Sequence, residues 1–126
     1  MSGSVPDVLV DTDVFVDHLR GARRFVQGED RVAYSVVTRC ELYAGTRVDE
    51  ELVDLLLSPF TEVPISREIA ERAGRIRRQK GCRTPDALIA ACALESGFTL
   101  VTRNLKDFQG IPGLVVRLPS ERLAGS

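Results

Sequence analysis

Only one of the 126 residues is a histidine, His18, and none is a tryptophan. The single histidine excludes zinc sites built from histidine clusters, Ser-His-Asp triads and Cys-His pairs together. If the chain is an enzyme, its chemistry runs on carboxylates. Cysteine is nearly as scarce. Cys40, Cys82 and Cys92 contain no Cys-x-x-Cys pair, and an odd count makes a poor disulfide framework. The apolar helical surroundings of Cys40 and Cys92 predict reduced core residues. No charged-then-apolar leader opens the chain, and no apolar run approaches the ~18 residues that span a bilayer. The expected compartment is therefore the cytoplasm, with no membrane partner. A formal net charge of -1 gives no bulk attraction to nucleic acid. Lysine is reduced to Lys80 and Lys106, so the other basic residues are all arginine. Arginine suits bidentate contacts with phosphate or carboxylate, although a GC-rich genome produces the same bias.

With 44% hydrophobic and 28% charged residues, the composition is that of an ordinary globular protein. The length suits one domain over 1–126, with 1–6 as a loose leader. A chain of this size buries roughly two-thirds of its unfolded surface, so it needs no disulfide or metal staple. The hydrophobic pattern alternates between strand and helix. Residues 7–11 read as a buried strand ending in Asp11, and a helix runs from Asp13 to about Arg20. A short turn is expected at Arg23-Arg24-Phe25-Val26. Residues 31–37 read as strand two, and Thr38 opens a helix to about Ala44. A third helix opens at Asp49, and 61–65 form strand three. Ser66 caps a helix ending at Gly81. Thr84-Pro85-Asp86 is a helix start with Thr84 as cap and Pro85 at the first position. That helix is apolar all round in its middle, so it should be buried. Strands four and five fall at 98–102 and 114–118. The alternation implies an α/β fold: a mainly parallel sheet of about five strands with helices on both faces.

Ligands of such sheets sit beyond the carboxyl ends of the strands, and acids recur there. Asp11 and Asp13 follow strand one. Glu41 lies in the first turn of the next helix, Asp86 in the first turn of the buried helix, and Asp107 in a loop after strand four. Carboxylates gathered on one edge raise each other's pKa. A hard divalent cation such as Mg²⁺, which typically takes one or two carboxylates, offsets this. Each acid also has a purely structural reading. Asp13 can cap its helix, Thr38 and Glu41 have the spacing of a capping box, Asp86 can be a dipole partner, and Asp107 can be solvated. Asp11, at the mouth of a buried strand, is the hardest to explain structurally.

LVDTDVFVDHLRG, YSVVTRCELYAG, TPDALIAACALESGFTLVTRN and KDF occur in order over nearly the whole chain. Together they resemble the blocks of PIN domains, in particular VapC-type toxins of bacterial toxin–antitoxin pairs. The resemblance implies a single PIN-like domain and an endoribonuclease that uses Mg²⁺ or Mn²⁺ and leaves 5′-phosphate and 3′-hydroxyl ends. Asp11, Glu41 and Asp86 fall on the family's first three acids. Asn104 stands where the family often has a fourth, with Asp107 nearby to share or replace it. Thr12, Thr102 and, less closely, Ser35 match polar positions that support the acids. On this likeness Asp11 and Asp86 hold the metal, while Glu41 orients or deprotonates the attacking water. Asn104 or Asp107 completes the shell, and Asp13 becomes a helix cap or outer contact. The likeness also implies a VapB-like antitoxin, homodimers and toxin–antitoxin hetero-oligomers.

Two other features bear on function. Arg72, Arg75, Arg77, Arg78, Lys80 and Arg83 fall within a stretch free of acids. They read as either a solvated helix face or a phosphate track toward Asp86. The leucines at 52, 55, 56 and 57 with Phe60 read as core or as a groove for a partner helix. Two further readings stand beside the nuclease. One is a haloacid dehalogenase-like phosphatase, from Asp11-x-Asp13, although Phe15 sits where that class has Thr or Val. The other is a catalytically inactive PIN-like scaffold that binds RNA or a partner.

Overall fold

The strand Val8–Val10 (β1) is apolar at every position and buried on both sides, as expected for the centre of a parallel sheet. The computed structural model describes residues 7–25, 28 and 30–119. The leader expected at 1–6, and Val26 of the expected turn, lie outside these residues. After β1 the elements run α1 (Thr12–Leu19), β2 (Val32–Ser35), α2 (Val36–Tyr43), α3 (Glu50–Leu57) and β3 (Thr61–Val63). They continue with α4 (Arg67–Lys80), α5 (Thr84–Ser96), β4 (Thr99–Val101), α6 (Leu105–Phe108) and β5 (Val116–Arg117). The five strands are ordered β3-β2-β1-β4-β5 and every pairing is parallel. The expected mainly parallel α/β sheet is therefore present.

Alternation along β1 separates two cores. Val8 and Val10 pack with Val14, Phe15, Tyr34 and Val53 under α1, α2 and α3. Leu9 faces the opposite side with Ile69, Ile89 and Phe108 from α4, α5 and α6. Right-handed crossovers explain this division. The chain moves outward from β1 to β3 with its helices on one face. It then returns past β1 to β4 and β5 with its helices on the other. In α5, Ala87, Ile89, Ala90, Ala91, Cys92 and Ala93 are buried, because the helix lies between the sheet and α4. Gly97 ends it in the left-handed conformation, φ 75°, which favours a residue without a Cβ.

Several boundaries differ from the sequence reading. Strand two ends at Ser35, and α2 begins at Val36 rather than Thr38. The Ser35 side chain, not Thr38, caps the helix by accepting from the Val37 N–H at 3.0 Å. Ser35 was the better cap because the strand register against β3 runs only to its position. The capping box therefore does not exist, and Glu41 lies in the second turn. Likewise Thr84 is already helical and Arg83 occupies the cap position without a side-chain bond. Asp107 belongs to the one-turn α6 rather than a loop. Cys40 is exposed, contrary to expectation, while Cys92 is buried. Cys40 falls on the outward stripe of α2, whose buried residues are Thr38 and Leu42. The leucine cluster divides: Leu57 and Val53 are core, whereas Leu52 and Leu55 are 47% and 69% exposed. Among the described residues no helix is long and apolar enough to cross a membrane.

Candidate active site

The strand order reverses between β1 and β4, and such a switch point opens a crevice beyond the strand ends. Asp11 follows β1 there, and Thr102 follows β4. Asp11 is 6% exposed. It is also the N-cap of α1: its Oδ1 accepts the Thr12 N–H at 2.8 Å. Its Oδ2 accepts the Thr102 hydroxyl at 2.8 Å. Burial, followed by the neighbouring Asp13 charge, pushes the Asp11 carboxyl well above the ordinary range, to about 7, against these two bonds. Asp86 adds to the upward push.

Asp13 is not a cap. It reaches across the switch point, where its Oδ2 accepts the Arg103 N–H at 3.1 Å and lies 3.3 Å from the Thr102 hydroxyl. Its Oδ1 is buried without a well-aligned donor. Burial raises the Asp13 carboxyl, and the Asp17 charge raises it further. Asp86 stands at the start of α5. Burial raises its carboxyl, the Arg83 charge opposes this, and the charges of Asp107, Glu41 and Asp13 reinforce it. The sequence-assigned acids Asp11, Glu41, Asp86 and Asp107 therefore share one electrostatic field at the same sheet edge.

Glu41 is fixed by a different contact. Its Oε1 accepts the Thr12 hydroxyl at 2.7 Å. Thr12 thus connects the β1 end to α2, and Thr102 connects it to β4. Asn104 and Asp107 prove to be partners, the Asn104 amide donating to Asp107 Oδ2. The Asn104 N–H also donates to the Thr102 hydroxyl at 3.0 Å. Ser35 touches none of the acids. It caps α2 and accepts the Cys92 thiol at 3.4 Å, locking α5 beneath β2.

The donors are all oxygens, the chemistry a hard divalent cation prefers. Among the described residues no three His, Cys, Asp or Glu side chains form a ready-made metal cage. A hard divalent ion at this edge would have to be held through one or two carboxylates with several waters, as Mg²⁺ can be. Asp11 and Asp86 are both raised by burial and by neighbouring carboxylates, which a cation's charge would offset.

The basic strip is divided. Arg72 Nε is 2.6 Å from Glu95 Oε2 and ties α4 to α5. Arg77 donates to the Cys82 carbonyl at 2.7 Å, and Lys80 donates to the Gln109 carbonyl. Arg75, Arg78 and Arg83 are exposed. Sequence reasoning missed Thr38, Arg103 and Asp17. Arg103 Nε pairs with Asp17 Oδ2 at 2.8 Å, strapping the loop after β4 to α1. Asp17 lies four residues after Asp13 on the same helix face, a spacing that could have drawn attention to it. A groove of about 490 Å³ opens beside Glu41 between α1, α2 and α3, walled by Leu19, Leu42, Val48, Leu52 and Val53.

A family profile described as PIN domain matches residues 8–114. The chain is 31% identical over 119 residues to Ribonuclease VapC19 of Mycobacterium tuberculosis, a match spanning 84% of this chain and 95% of that protein. It is 38% identical over 113 residues to Ribonuclease VapC10 of the same organism, spanning 80% of this chain and 85% of that protein. A toxin–antitoxin complex from Klebsiella pneumoniae contains a chain with the same fold at TM-score 0.74 and 34% identity, covering 92% of this chain and 100% of that one. With its acids gathered at the switch point of a parallel sheet and these relatives spanning most of its length, the chain belongs to the PIN-domain family, in its VapC group.

Proposed function

We propose that this chain is an endoribonuclease dependent on Mg²⁺ or Mn²⁺ and the toxin of a type II toxin–antitoxin pair. The observation that carries the reading is Asp11. It is a buried carboxylate at the switch point, bonded to Thr102 of the next strand end and pushed up to about 7 by burial and by the neighbouring Asp13 and Asp86 charges. Such an arrangement is costly for folding alone and suits a bound divalent ion. The names of VapC19 and VapC10 support ribonuclease activity.

Asp11 and Asp86 would hold a divalent ion, which would supply Lewis acidity for phosphodiester hydrolysis. The chain's own residues do the rest. Thr12 N–H and the Thr102 hydroxyl fix both oxygens of Asp11 in one orientation, as a ligand to such an ion would need. Glu41, held at Oε1 by Thr12, keeps Oε2 to orient the attacking water and take its proton. Asp107, which accepts from the Asn104 amide, would complete the ligand set. The exposed Arg75, Arg78 and Arg83 supply phosphate contacts, with Arg72 contributing less because of Glu95. A VapB-like antitoxin occupies the groove beside Glu41, in hetero-oligomers of toxin homodimers; the Klebsiella pneumoniae neighbour comes from a toxin–antitoxin complex.

The test incubates purified protein with RNA and Mg²⁺ or Mn²⁺, with and without EDTA, beside Asp11→Asn and Asp86→Asn. EDTA-sensitive cleavage should fall at least ~100-fold in both variants, matching the several kcal/mol a metal supplies. Cleavage that survives in either variant overturns the assignment. RNA binding without cleavage would instead identify a silent scaffold, the reading that the uncharged Asn104 favours. The phosphatase alternative falls with the family match over 8–114.

A further inference from the structure

We propose that Thr38 is a positioning residue for Glu41, acting through Thr12. Its catalytic consequence rests on the nuclease reading above; its structural consequence rests on geometry alone. Thr38 is the third residue of α2 and is 0% exposed. Its Oγ1 lies 2.9 Å from Thr12 Oγ1. Thr12 Oγ1 in turn lies 2.7 Å from Glu41 Oε1. Each hydroxyl carries one proton, and a carboxylate oxygen only accepts. The Thr12 proton is therefore committed to Glu41, so Thr38 must be the donor in the bond between the two threonines. The chain of donation runs one way, from Thr38 to Thr12 to Glu41.

Thr38 sends its proton across to the first residue of α1. A buried hydroxyl costs free energy unless bonded, and valine would fill the same volume at a site facing the apolar core. The hydroxyl therefore has a task that the methyl groups do not. By accepting from Thr38, the Thr12 hydroxyl is held in one rotamer and polarised as a donor. Glu41 sits one turn after Thr38 on the same face of α2, with Thr12 bridging them from the neighbouring helix. Glu41 is half-buried at the mouth of the α1–α2–α3 groove. Without the relay the Thr12 hydroxyl is free to rotate, and Glu41 loses the contact that holds its Oε1 in place. Asp11 and Asp86 do not depend on Thr38, so ion and RNA affinity should be indifferent to it.

Thr38→Val keeps the shape and removes the hydroxyl; Thr38→Ser keeps the hydroxyl and removes a methyl. With labelled single-stranded RNA and Mn²⁺, kcat should fall about tenfold in Thr38→Val with KM unchanged, a partial loss of general-base positioning. Thr38→Ser should retain kcat within about twofold. Adding Thr38→Val to Glu41→Gln should cost nothing further, since both act on one group. A crystal structure of Thr38→Val should show Glu41 Oε1 displaced from Thr12. If Thr38→Val does not fold, Thr38→Ala replaces it in the same comparisons. The proposal is overturned by wild-type kcat in the hydroxyl-free variant, by equal losses in the valine and serine variants, or by an intact Thr12–Glu41 contact in the crystal. If the wild-type chain cuts no RNA with any divalent ion, the nuclease reading falls, and the crystallographic comparison still decides the relay.

Discussion

Thr102 and Asp11, on the residues just past β4 and β1, meet through a single buried hydrogen bond of 2.8 Å. The Thr102 hydroxyl also accepts the Asn104 N–H at 3.0 Å and lies 3.3 Å from Asp13 Oδ2. One side chain thus organises both acids that follow the first strand and the turn into α6. Thr102→Val should destabilise the fold by ~1–3 kcal/mol, because it leaves buried polar atoms unpaired. Thr102→Ser should recover most of that loss. Urea melts of the two variants make the comparison, and a valine variant as stable as wild type would remove Thr102 from its central place.

The raised Asp11 carboxyl makes stability depend on pH. Its ordinary value is 3.8 and its folded value about 7. Between these limits the folded state binds more protons than the unfolded state, so stability falls as pH rises. The stabilising contribution is complete below the unfolded value and is lost as pH passes through about 7. Up to about 4 kcal/mol is involved. In EDTA at pH ~8, Asp11→Asn should therefore melt at a higher temperature than wild type, and the gap should narrow at pH ~5. Mn²⁺ at pH ~8 should raise the wild-type melting temperature and leave the variant nearly unchanged, since only binding to the folded state stabilises it. A pH-independent gap would show that Asp11 is not the titrating group.

The arginines of α4 should not contribute equally. Arg72 is engaged with Glu95 at 2.6 Å, whereas Arg75 and Arg78 are exposed. Each arginine that neutralises a phosphate of single-stranded RNA contributes ~0.7 to the slope of log affinity against log salt. Arg75→Ala with Arg78→Ala should reduce that slope by about 1.4. Arg72→Ala should instead act mainly on stability, and weakly, as befits a partly exposed ion pair. Filter-binding titrations over a range of salt concentrations test both. An unchanged slope in the double variant would reduce the strip to a solvated face.

What was legible in the sequence follows the strength of the local signal. The apolar run Val8-Leu9-Val10 ended by Asp11 announced a central strand, and the all-round apolar α5 announced a buried helix. The acids Asp11, Glu41 and Asp86 could be placed on one edge because parallel connectivity puts every strand end there. The start of α2 was misread because Ser35 and Thr38 are both good caps, and only the register of β2 against β3 decides between them. Read as a cap, Thr38 has no role inside the site, and Glu41 is satisfied by its own helix; the start of α2 at Val36 removes both readings. The Arg103–Asp17 pair was illegible for another reason. It joins residues far apart in the chain, and only the sheet order brings them together.

Asn104 and Asp107 form the part of the site that most needs measurement. The Asn104 amide donates to Asp107, and the Asp107 charge pushes the Asp86 carboxyl upward. A neutral amide bonded to a carboxylate leaves that carboxylate as the stronger ligand for a hard cation. Asp107→Ala should thus weaken Mn²⁺ binding roughly 10-fold or more, and Asn104→Ala should weaken it by less, as expected for a supporting contact. Asn104→Asp places two like charges together. In EDTA that variant should melt below wild type through repulsion, and with Mn²⁺ it should melt above it. Calorimetric Mn²⁺ titrations of the three variants separate the roles. If Asn104→Ala proves the more damaging alanine variant, the amide carbonyl, and not Asp107, is the oxygen that completes the site.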